Sequence, residues 1–148
     1  MKNTLVDAGP LIALFDRDDT YHSAACAFLQ GFKGVLYTSW PVITETTHML
    51  GFNTEVQIDF LEWLDRGALN LVNLESAHLK RIIELSRKYS DVPMDLADSS
   101  LMVIAELMGI SSIITVDSDY YIYRTRKKKL LVNLLEPYIR GTRPRPRH

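Results

Sequence analysis

Short β-prone runs alternate along this chain with segments in which apolar residues recur at helical spacing. The β-prone runs are residues 3–6, 35–38, 69–74, 112–116 and 130–134. The helical segments are residues 11–15, 20–32, 42–50, 54–65, 75–89 and 95–108. Because strands separated by helices favour parallel crossover connections, we expect a three-layer α/β/α sandwich. Its central, mostly parallel sheet should have four to five strands.

Residues that begin or end helices support these boundaries. Thr20 and Thr54 can each cap a first helical turn, since a threonine hydroxyl accepts a hydrogen bond from a free backbone N–H. Gly109 directly follows the last helical segment, where a left-handed backbone commonly ends a helix.

The size of the chain limits the number of domains. Its 148 residues, 47% of them apolar, allow one substantial core and leave little room for a second. We predict one domain at residues 1–135, followed by a flexible basic tail at residues 136–148. Cys26 stands alone, so an intramolecular disulfide is impossible. The absence of a signal-length hydrophobic start or a membrane-spanning run predicts a cytoplasmic protein with no membrane contact.

The net charge of −1 conceals an uneven distribution of charge. Residues 1–123 hold 8 of the 17 Lys and Arg and 17 of the 18 Asp and Glu. Residues 124–148 hold the other 9 basic side chains against Glu136 alone. An acidic body with a basic tail could bring a polyanion to an acidic pocket. A solvated edge with a frayed end explains the pattern equally well.

Four acidic residues, Asp7, Glu45, Asp98 and Asp117, lie where an α/β chain turns back from its sheet, and Asp95 is an additional acid beside one of them. Asp7 and Asp117 follow β-prone runs, and ligands of open parallel sheets collect at the carboxyl ends of strands. Asp98 lies in the first turn of its helix, with Asp95 one turn earlier on the same face. Glu45 projects from the helix after the second strand. Carboxylates gathered without histidine or cysteine predict a pocket for a hard divalent cation.

Each of these acids also has an ordinary explanation as a turn residue, a helix cap or a solvated side chain. The set is harder to explain in that way, because apolar flanking sequence should bring its members close to the core. Two carboxylates about 4 Å apart repel by roughly 4 kcal/mol at an effective dielectric constant near 20. A bound cation would reverse the sign of that interaction.

Four segments of the chain resemble the motifs of PIN domains. Leu-Val-Asp-Ala-Gly-Pro-Leu-Ile-Ala-Leu at residues 5–14 resembles the opening motif, and Thr-Ser-Trp-Pro-Val-Ile-Thr-Glu-Thr at residues 38–46 the second. Residues 98–109, which begin Asp-Ser-Ser-Leu-Met-Val-Ile-Ala, resemble the third motif. Ile-Ile-Thr-Val-Asp-Ser-Asp-Tyr at residues 113–120 resembles the fourth. The order and spacing of the four motifs make the resemblance far more specific than any one of them.

The resemblance implies a metal-dependent nuclease, most often an endoribonuclease and commonly a VapC-like toxin of a toxin–antitoxin pair. By this similarity the catalytic acids are Asp7, Glu45, Asp98 and Asp117. The metal ligands among them are Asp7, Asp98 and Asp117. The supporting residues are Asp95, Thr115 and Asp119. Tyr120 stands where a Phe is frequent, which is a conservative change.

The implied cofactor is Mg²⁺ or Mn²⁺, which keeps several waters when one or two carboxylates hold it. We expect Asp7 and Asp98 to hold the principal ion, with Asp117 near it. Glu45 is then free to orient or deprotonate the attacking water, or to help bind a second ion. The similarity suggests products with a 5′-phosphate and a 3′-hydroxyl, and the number of ions stays open.

Contact with RNA must come from outside the acidic pocket, because bare carboxylates repel phosphates. The basic side chains that follow the fourth motif are Arg124, Arg126, Lys127, Lys128 and Lys129, and we predict that they contact the RNA backbone. The aromatic residues available for stacking on bases are Trp40, Tyr120, Tyr121 and Tyr123. For these four we favour packing in the core or in a dimer interface.

Partners are predicted from apolar surface and from the resemblance. Apolar residues in segments 20–32 and 54–65 exceed what a thin sandwich needs, which indicates a homodimer. A toxin would also bind a small cognate antitoxin through a groove near the acids. The alternatives are an RNA-processing PIN nuclease without an antitoxin and a PIN-like module that binds RNA or protein without cutting.

A different enzyme class competes for two of the motifs. Glu45-Thr-Thr-His48 and Glu75-Ser-Ala-His78 both have the Glu-x-x-His spacing that di-iron four-helix bundles place on facing helices. Such a bundle has no sheet, whereas residues 3–6, 69–74 and 112–116 predict strands. We therefore disfavour the di-iron reading.

Overall fold

The computed structural model describes residues 2–141 as one α/β fold. The strands are β1 (Lys2–Val6), β2 (Gly34–Thr38), β3 (Asn70–Leu71), β4 (Ser112–Ile114) and β5 (Val132–Asn133). The helices are α1 (Ala8–Phe15), α2 (His22–Gly31), α3 (Trp40–Met49), α4 (Thr54–Asp65), α5 (Leu79–Lys88), α6 (Leu96–Met108) and α7 (Glu136–Ile139). Turns of 3-10 helix at Ser76–His78 and Ser118–Tyr121 join some of these elements. None of the helices in this range is long and apolar enough to cross a membrane.

The five strands form one parallel sheet in the order β3-β2-β1-β4-β5. The predicted three-layer α/β class is therefore confirmed, and the sheet excludes a di-iron bundle. The chain builds outward from β1 through β2 to β3 and then returns to place β4 on the other side of β1. At that reversal, connections leave neighbouring strands in opposite directions and open a crevice at the carboxyl ends of β1 and β4.

The core lies on the central strands and along α6. Leu5, Ile113 and Leu101 are fully buried, and every residue from Ala97 to Ala105 is buried. A helix that is apolar or small on all sides belongs inside a domain, and α6 packs against both α3 and α5. The first turn of α6 is consequently held at a fixed place near the crevice.

The β3 strand is shorter than predicted. The sequence predicts a strand over 69–74, but only Asn70–Leu71 pairs with β2, and the Val72 N–H then bonds to the Thr38 carbonyl. Since β2 ends at Thr38, no backbone partner remains, and Asn73 turns outward to accept a hydrogen bond from Trp40 Nε1 at 3.0 Å. The predicted helix over 75–89 likewise begins with a 3-10 turn.

Two of the three predicted helix caps are wrong. The cap of α4 is Asn53, whose side chain accepts from the Glu55 N–H at 2.9 Å, and α2 starts after Tyr21 without a side-chain cap. Asn is a stronger N-cap than Thr, so Thr54 becomes the first helical residue. Gly109 adopts the predicted left-handed conformation, with φ of 65°, at the end of α6.

Ordered structure continues past residue 135. Helix α7 packs against α2, where Ile139 is buried and the Tyr138 ring meets Phe28 edge to face at 5.6 Å. This contact lies within the segment predicted as a flexible tail. The rest of that predicted tail, residues 142–148, falls outside the described part of the chain.

Candidate metal centre

Three of the predicted acids converge at the carboxyl ends of β1 and β4. Asp7 directly follows β1, Asp117 lies just beyond β4, and Asp98 sits in the first turn of α6. One carboxylate oxygen from each lies within 4.8 Å of the others. Asp7 and Asp98 are buried and Asp117 is half-buried. We call these three residues the acidic cluster.

Hydrogen bonds fix the Asp7 carboxylate at the end of β1. Its Oδ1 accepts from the Ala8 N–H at 2.9 Å, so Asp7 caps α1, and its Oδ2 accepts from the Thr115 hydroxyl at 3.0 Å. Thr115 Oγ1 in turn accepts from the Asp117 N–H at 2.9 Å. Thr115 thus joins two members of the acidic cluster.

A close approach of α1 to the end of β4 depends on Gly9. A Cβ atom at this position would overlap the Val116 side chain. The glycine therefore lets the first turn of α1, and with it the Asp7 carboxylate, lie against the segment that carries Asp117. Sequence reasoning did not single out Gly9, although its place two residues after Asp7 was a signal.

The Asp98 carboxylate is held from two sides. Asp95 caps α6, accepting from the Asp98 N–H at 2.9 Å, and Asp98 Oδ2 accepts from the Asp95 N–H at 3.3 Å. The Tyr120 hydroxyl donates to Asp98 Oδ1 at 3.2 Å, and the Tyr123 hydroxyl donates to Oδ2 at 3.4 Å. Both tyrosines are buried, as favoured for them. Their hydroxyls are contacts that the sequence analysis missed, because it assigned these rings to packing.

The other predicted acids lie beside the cluster. Asp119 donates its backbone N–H to Asp117 Oδ1 at 2.9 Å, which fixes the 3-10 turn after β4. Glu45 is half-buried on α3 and close enough for its charge to act on Asp7. The start of α3 is tied to α6 by a 2.7 Å hydrogen bond between the Ser39 and Ser100 hydroxyls.

Burial and mutual repulsion make the acidic cluster unfavourable without a cation. Burial raises the pKa of Asp7 to about 7, with further increases from the charges of Asp117 and Glu45, while hydrogen bonds from Ala8 and Thr115 lower it. Burial, followed by the charges of the cluster, raises the pKa of Tyr120 well above its ordinary value. The Tyr120 hydroxyl therefore stays protonated and available to donate.

The donor set suits Mg²⁺ or Mn²⁺. The three side chains of the cluster offer only carboxylate oxygens, and hard divalent cations prefer such ligands. A cation between them would also offset the burial and repulsion that raise the pKa of Asp7. The residues present therefore fit a divalent metal ion.

The predicted RNA-binding residues lie along α6, away from its first turn. We call residues 124–129 the basic segment. The Arg124 N–H bonds to Tyr89 Oη, and the Arg126 N–H bonds to Glu106 Oε2 at 2.7 Å. Glu106 follows Asp98 by eight residues, which is about 12 Å along a helix axis. Lys127 and Lys129 line a cavity of about 560 Å³ near Glu106, so their contact with RNA stays a prediction.

Aromatic side chains divide between the core and the surface. Tyr120 and Tyr123 pack edge to face at 5.2 Å in the core. Trp40 is 55% exposed and Tyr121 is 50% exposed. The two exposed rings are therefore the ones free to meet a ligand or partner.

Known proteins match both the sequence and the fold. A family model described as PIN domain matches residues 4–128. Ribonuclease VapC26 of Mycobacterium tuberculosis is 24% identical over 119 residues, which cover 79% of this chain and 88% of that protein. The crystal structure of M. tuberculosis VapC20, described as a sarcin–ricin loop cleaving toxin, aligns with a TM-score of 0.68 at 15% identity, over 74% of this chain and 86% of that one. The predicted resemblance is confirmed, and this chain belongs to the PIN domain family.

Proposed function

We propose that this chain is a metal-dependent endoribonuclease and the toxin of a toxin–antitoxin pair, acting in the cytoplasm. The observation that carries the proposal is the convergence of Asp7, Asp98 and Asp117, whose oxygens lie within 4.8 Å of one another in the crevice of a PIN fold. The relatives support the substrate and the biological role, since VapC26 is named a ribonuclease and VapC20 a toxin.

The acidic cluster would hold Mg²⁺ or Mn²⁺. When bound, such an ion supplies positive charge to the phosphate and lowers the pKa of water. Asp7 and Asp98 would be the principal ligands, and Asp117 would complete the group. Thr115 and Asp95 keep the first two carboxylates oriented through the bonds described above.

Glu45 is the residue left to handle the proton. It lies outside the group of three but near enough to influence Asp7, so its carboxylate can accept a proton from the attacking water. Attack in line with the leaving 3′-oxygen would give a 5′-phosphate and a 3′-hydroxyl. A non-catalytic PIN-like module would have no use for these acids, whose assembly near the core costs free energy.

The exposed apolar surface supports a protein contact on α4 but not on α2. Helix α4 leaves Ile58 and Leu61 exposed, next to Phe52, which suits a homodimer or an antitoxin contact. Helix α2 instead uses its apolar side chains within the fold, since Phe28 stacks on Phe32 and meets α7. Of the two segments from which a dimer was predicted, α4 is therefore the better candidate.

Metal-dependent cleavage of mixed-sequence single-stranded RNA tests the nuclease. Cleavage should require Mn²⁺ or Mg²⁺, stop in a chelator and return when excess metal is added. Asp7→Asn should abolish it, because the amide cannot supply the negative ligand, whereas Asp65→Asn on the exposed end of α4 should leave it unchanged. Cleavage that persists in chelator rules out the metal mechanism.

Co-purification from the native host tests the toxin role. A small protein bound to the chain supports a toxin–antitoxin pair. A chain isolated alone, yet active on RNA, favours an RNA-processing nuclease without an antitoxin.

A further inference from the structure

A cavity of about 210 Å³ adjoins the acidic cluster. We call it the Glu136 cavity, and the side chains that matter in its wall are Asp117, Tyr121, Asn133, Glu136 and Arg140. Because Asp117 belongs to both sites, a group bound here lies next to the proposed cleavage position. The volume is below the roughly 300–1,000 Å³ of pockets for drug-sized ligands, which suits a single ring system.

The carboxylate of Glu136 has an unused acceptor. Its Oε2 atom is buried and has no hydrogen-bond partner among residues 2–141. A buried polar atom without a partner is unfavourable, and more so when it is charged. The site is therefore short of a hydrogen-bond donor. Solvent does not reach this oxygen in the structure, so a ligand that brings N–H groups would supply the donor once the Glu136 carboxylate turns toward the cavity.

Another part of the wall of the Glu136 cavity is fixed by Asn133. Its Oδ1 accepts from the backbone N–H groups of Thr115 at 3.2 Å and Leu135 at 3.1 Å. Its Nδ2 donates to the Thr115 carbonyl at 3.0 Å and to the Tyr121 hydroxyl at 3.4 Å. The side-chain amide of Asn133 thus has its hydrogen bonds with neighbouring residues. It holds the half-exposed Tyr121 ring at the cavity and connects this wall to Thr115, which bonds to Asp7.

We propose that the Glu136 cavity binds an unpaired guanine of the RNA beside the cleaved phosphate. This inference rests on the proposed function and assigns a specificity to it. The Glu136 carboxylate accepts hydrogen bonds from guanine N1–H and from the 2-amino group, and the Tyr121 ring stacks on the base. Arg140 is available for a neighbouring phosphate. No residue of this cavity is among the acids assigned to cleavage except Asp117.

The pattern of donors on the bases selects guanine. Guanine presents two adjacent N–H donors on its Watson–Crick edge, which match the two oxygens of a carboxylate. Adenine and cytosine place a ring-nitrogen acceptor beside their amino group, and uracil flanks its single N–H with two carbonyl oxygens. Each of these three bases would direct an acceptor at a negative charge. Reading of unpaired bases by stacking and edge hydrogen bonds is common in RNA recognition.

Binding of short fluorescent RNAs tests the contact without relying on cleavage. The RNAs carry one guanosine, inosine or adenosine in an otherwise identical single strand, and the protein carries Asp7→Asn to prevent cutting. Guanosine RNA should bind about 10- to 100-fold more tightly than adenosine RNA. Inosine lacks the 2-amino group and should bind about tenfold less tightly than guanosine. Equal binding of all three RNAs overturns the proposal.

Glu136→Gln, in the same Asp7→Asn background, tests the residue itself. Glutamine keeps the shape but offers one acceptor and one donor, so the preference for guanosine over inosine should disappear. Glu55→Gln, on the exposed first turn of α4, is the matched control and should keep the preference. A preference that survives Glu136→Gln overturns the proposal. The swap from guanosine to inosine alters only the RNA, so it remains decisive if the variant is unstable.

Cleavage mapping separates this proposal from the nuclease assignment. The wild-type chain should cut a random RNA pool with guanine enriched at one fixed position next to the cut. Metal-dependent cutting without that enrichment overturns the guanine site and leaves the nuclease standing. Guanine-selective binding lost in Glu136→Gln, without any metal-dependent cutting, supports the site and overturns the nuclease.

Discussion

The acidic cluster and the basic segment carry opposite charges and are held in opposite ways. Asp7 and Asp98 are only 6% and 3% exposed, and neighbouring N–H and hydroxyl groups orient their carboxylates. In the basic segment the backbone is fixed, with the Lys128 N–H bonded to the Thr125 carbonyl at 2.8 Å, but the lysine side chains are exposed. The acidic cluster thus fixes its charged atoms, whereas the basic segment leaves the charged ends of its lysines to solvent.

This difference shows how far charge alone indicates a site. Buried carboxylates within 4.8 Å of one another raise the free energy of the fold, so their retention points to a counter-charge. Exposed lysines and arginines cost little in any arrangement, and a run of them is compatible with RNA binding or with simple solvation. The predictions below test whether the two regions differ in function as they differ in construction.

The largest expected effect is the dependence of metal affinity on pH. Metal ions bind deprotonated carboxylates, and the pKa of Asp7 is about 7 because of burial and the neighbouring acids. Below pH 7 a proton must leave for each ion that binds, so affinity should fall about tenfold per pH unit. Because half of the Asp7 carboxyl groups are already protonated at pH 7, calorimetric titration with Mn²⁺ should show a loss of about 15-fold between pH 7 and pH 5.5. An affinity that is flat over this range contradicts the assignment.

The stability of the metal-free protein depends on the protonation of the same Asp7 carboxyl group. The folded-state pKa of about 7 exceeds the ordinary value of 3.8, so the folded state holds the proton more tightly than the unfolded chain. The contribution of this carboxyl group therefore leaves the free energy of unfolding highest below about pH 4. The free energy of unfolding then falls as the pH rises to about 7 and stays low above that pH. Asp7→Asn lacks this penalty. Without metal at pH 8 the variant should melt at a higher temperature than the wild type, and a lower one would count against the shift.

The acidic cluster could be predicted from sequence because its members follow strands or begin a helix. Asp7 and Asp117 had to lie at the carboxyl edge once a parallel sheet was predicted, and the dipole of α6 favoured Asp98 in its first turn. The length of β3 could not be predicted in this way. Strand residues need a partner, and only the structure shows the register that pairs Leu71 with Thr38, the last residue of β2.

Contacts between distant segments were the part that sequence reasoning missed. Tyr123 reaches Asp98 across 25 positions, and the Glu136 cavity forms only because β5 and α7 fold back beside Asp117. Neither contact has a periodicity or a turn signal. Glu136 instead looked like the one acid in a basic tail, and only the structure shows that one of its carboxylate oxygens is buried.

A smaller effect is expected from Tyr120→Phe, which tests how the acidic cluster is oriented. The resemblance to PIN domains implies that Phe is acceptable here, whereas the structure gives the hydroxyl a bond to Asp98 Oδ1 at 3.2 Å. Groups that orient a metal ligand are commonly worth 10- to 100-fold in metal affinity. With the Tyr123 hydroxyl still present, we expect about tenfold weaker Mn²⁺ binding and little change in the KM for RNA.

The matched control for Tyr120→Phe is Tyr138→Phe, on the exposed face of α7. Metal affinity should not change in this variant, because the Tyr138 hydroxyl takes part in none of the hydrogen bonds that orient the cluster. Equal metal affinity in the wild type and Tyr120→Phe would show that the hydroxyl fills space only.

The smallest effect is expected in the basic segment, from the double substitution of Lys127 and Lys129 by alanine. Each phosphate contact on a single strand contributes about 0.7 to the slope of log affinity against log salt concentration, so losing two should reduce the slope by roughly 1.4. The KM for RNA should rise a few-fold at low salt, with kcat unchanged, since these residues lie beside Glu106 and not at the acidic cluster. Lys33→Ala, an exposed lysine at the amino end of β2, is the control and should leave the slope unaltered. An unchanged slope in the double variant would show that the basic segment is only solvated and does not contact RNA. The buried acids near the first turn of α6 would then have a function that the exposed charges near its last turns lack.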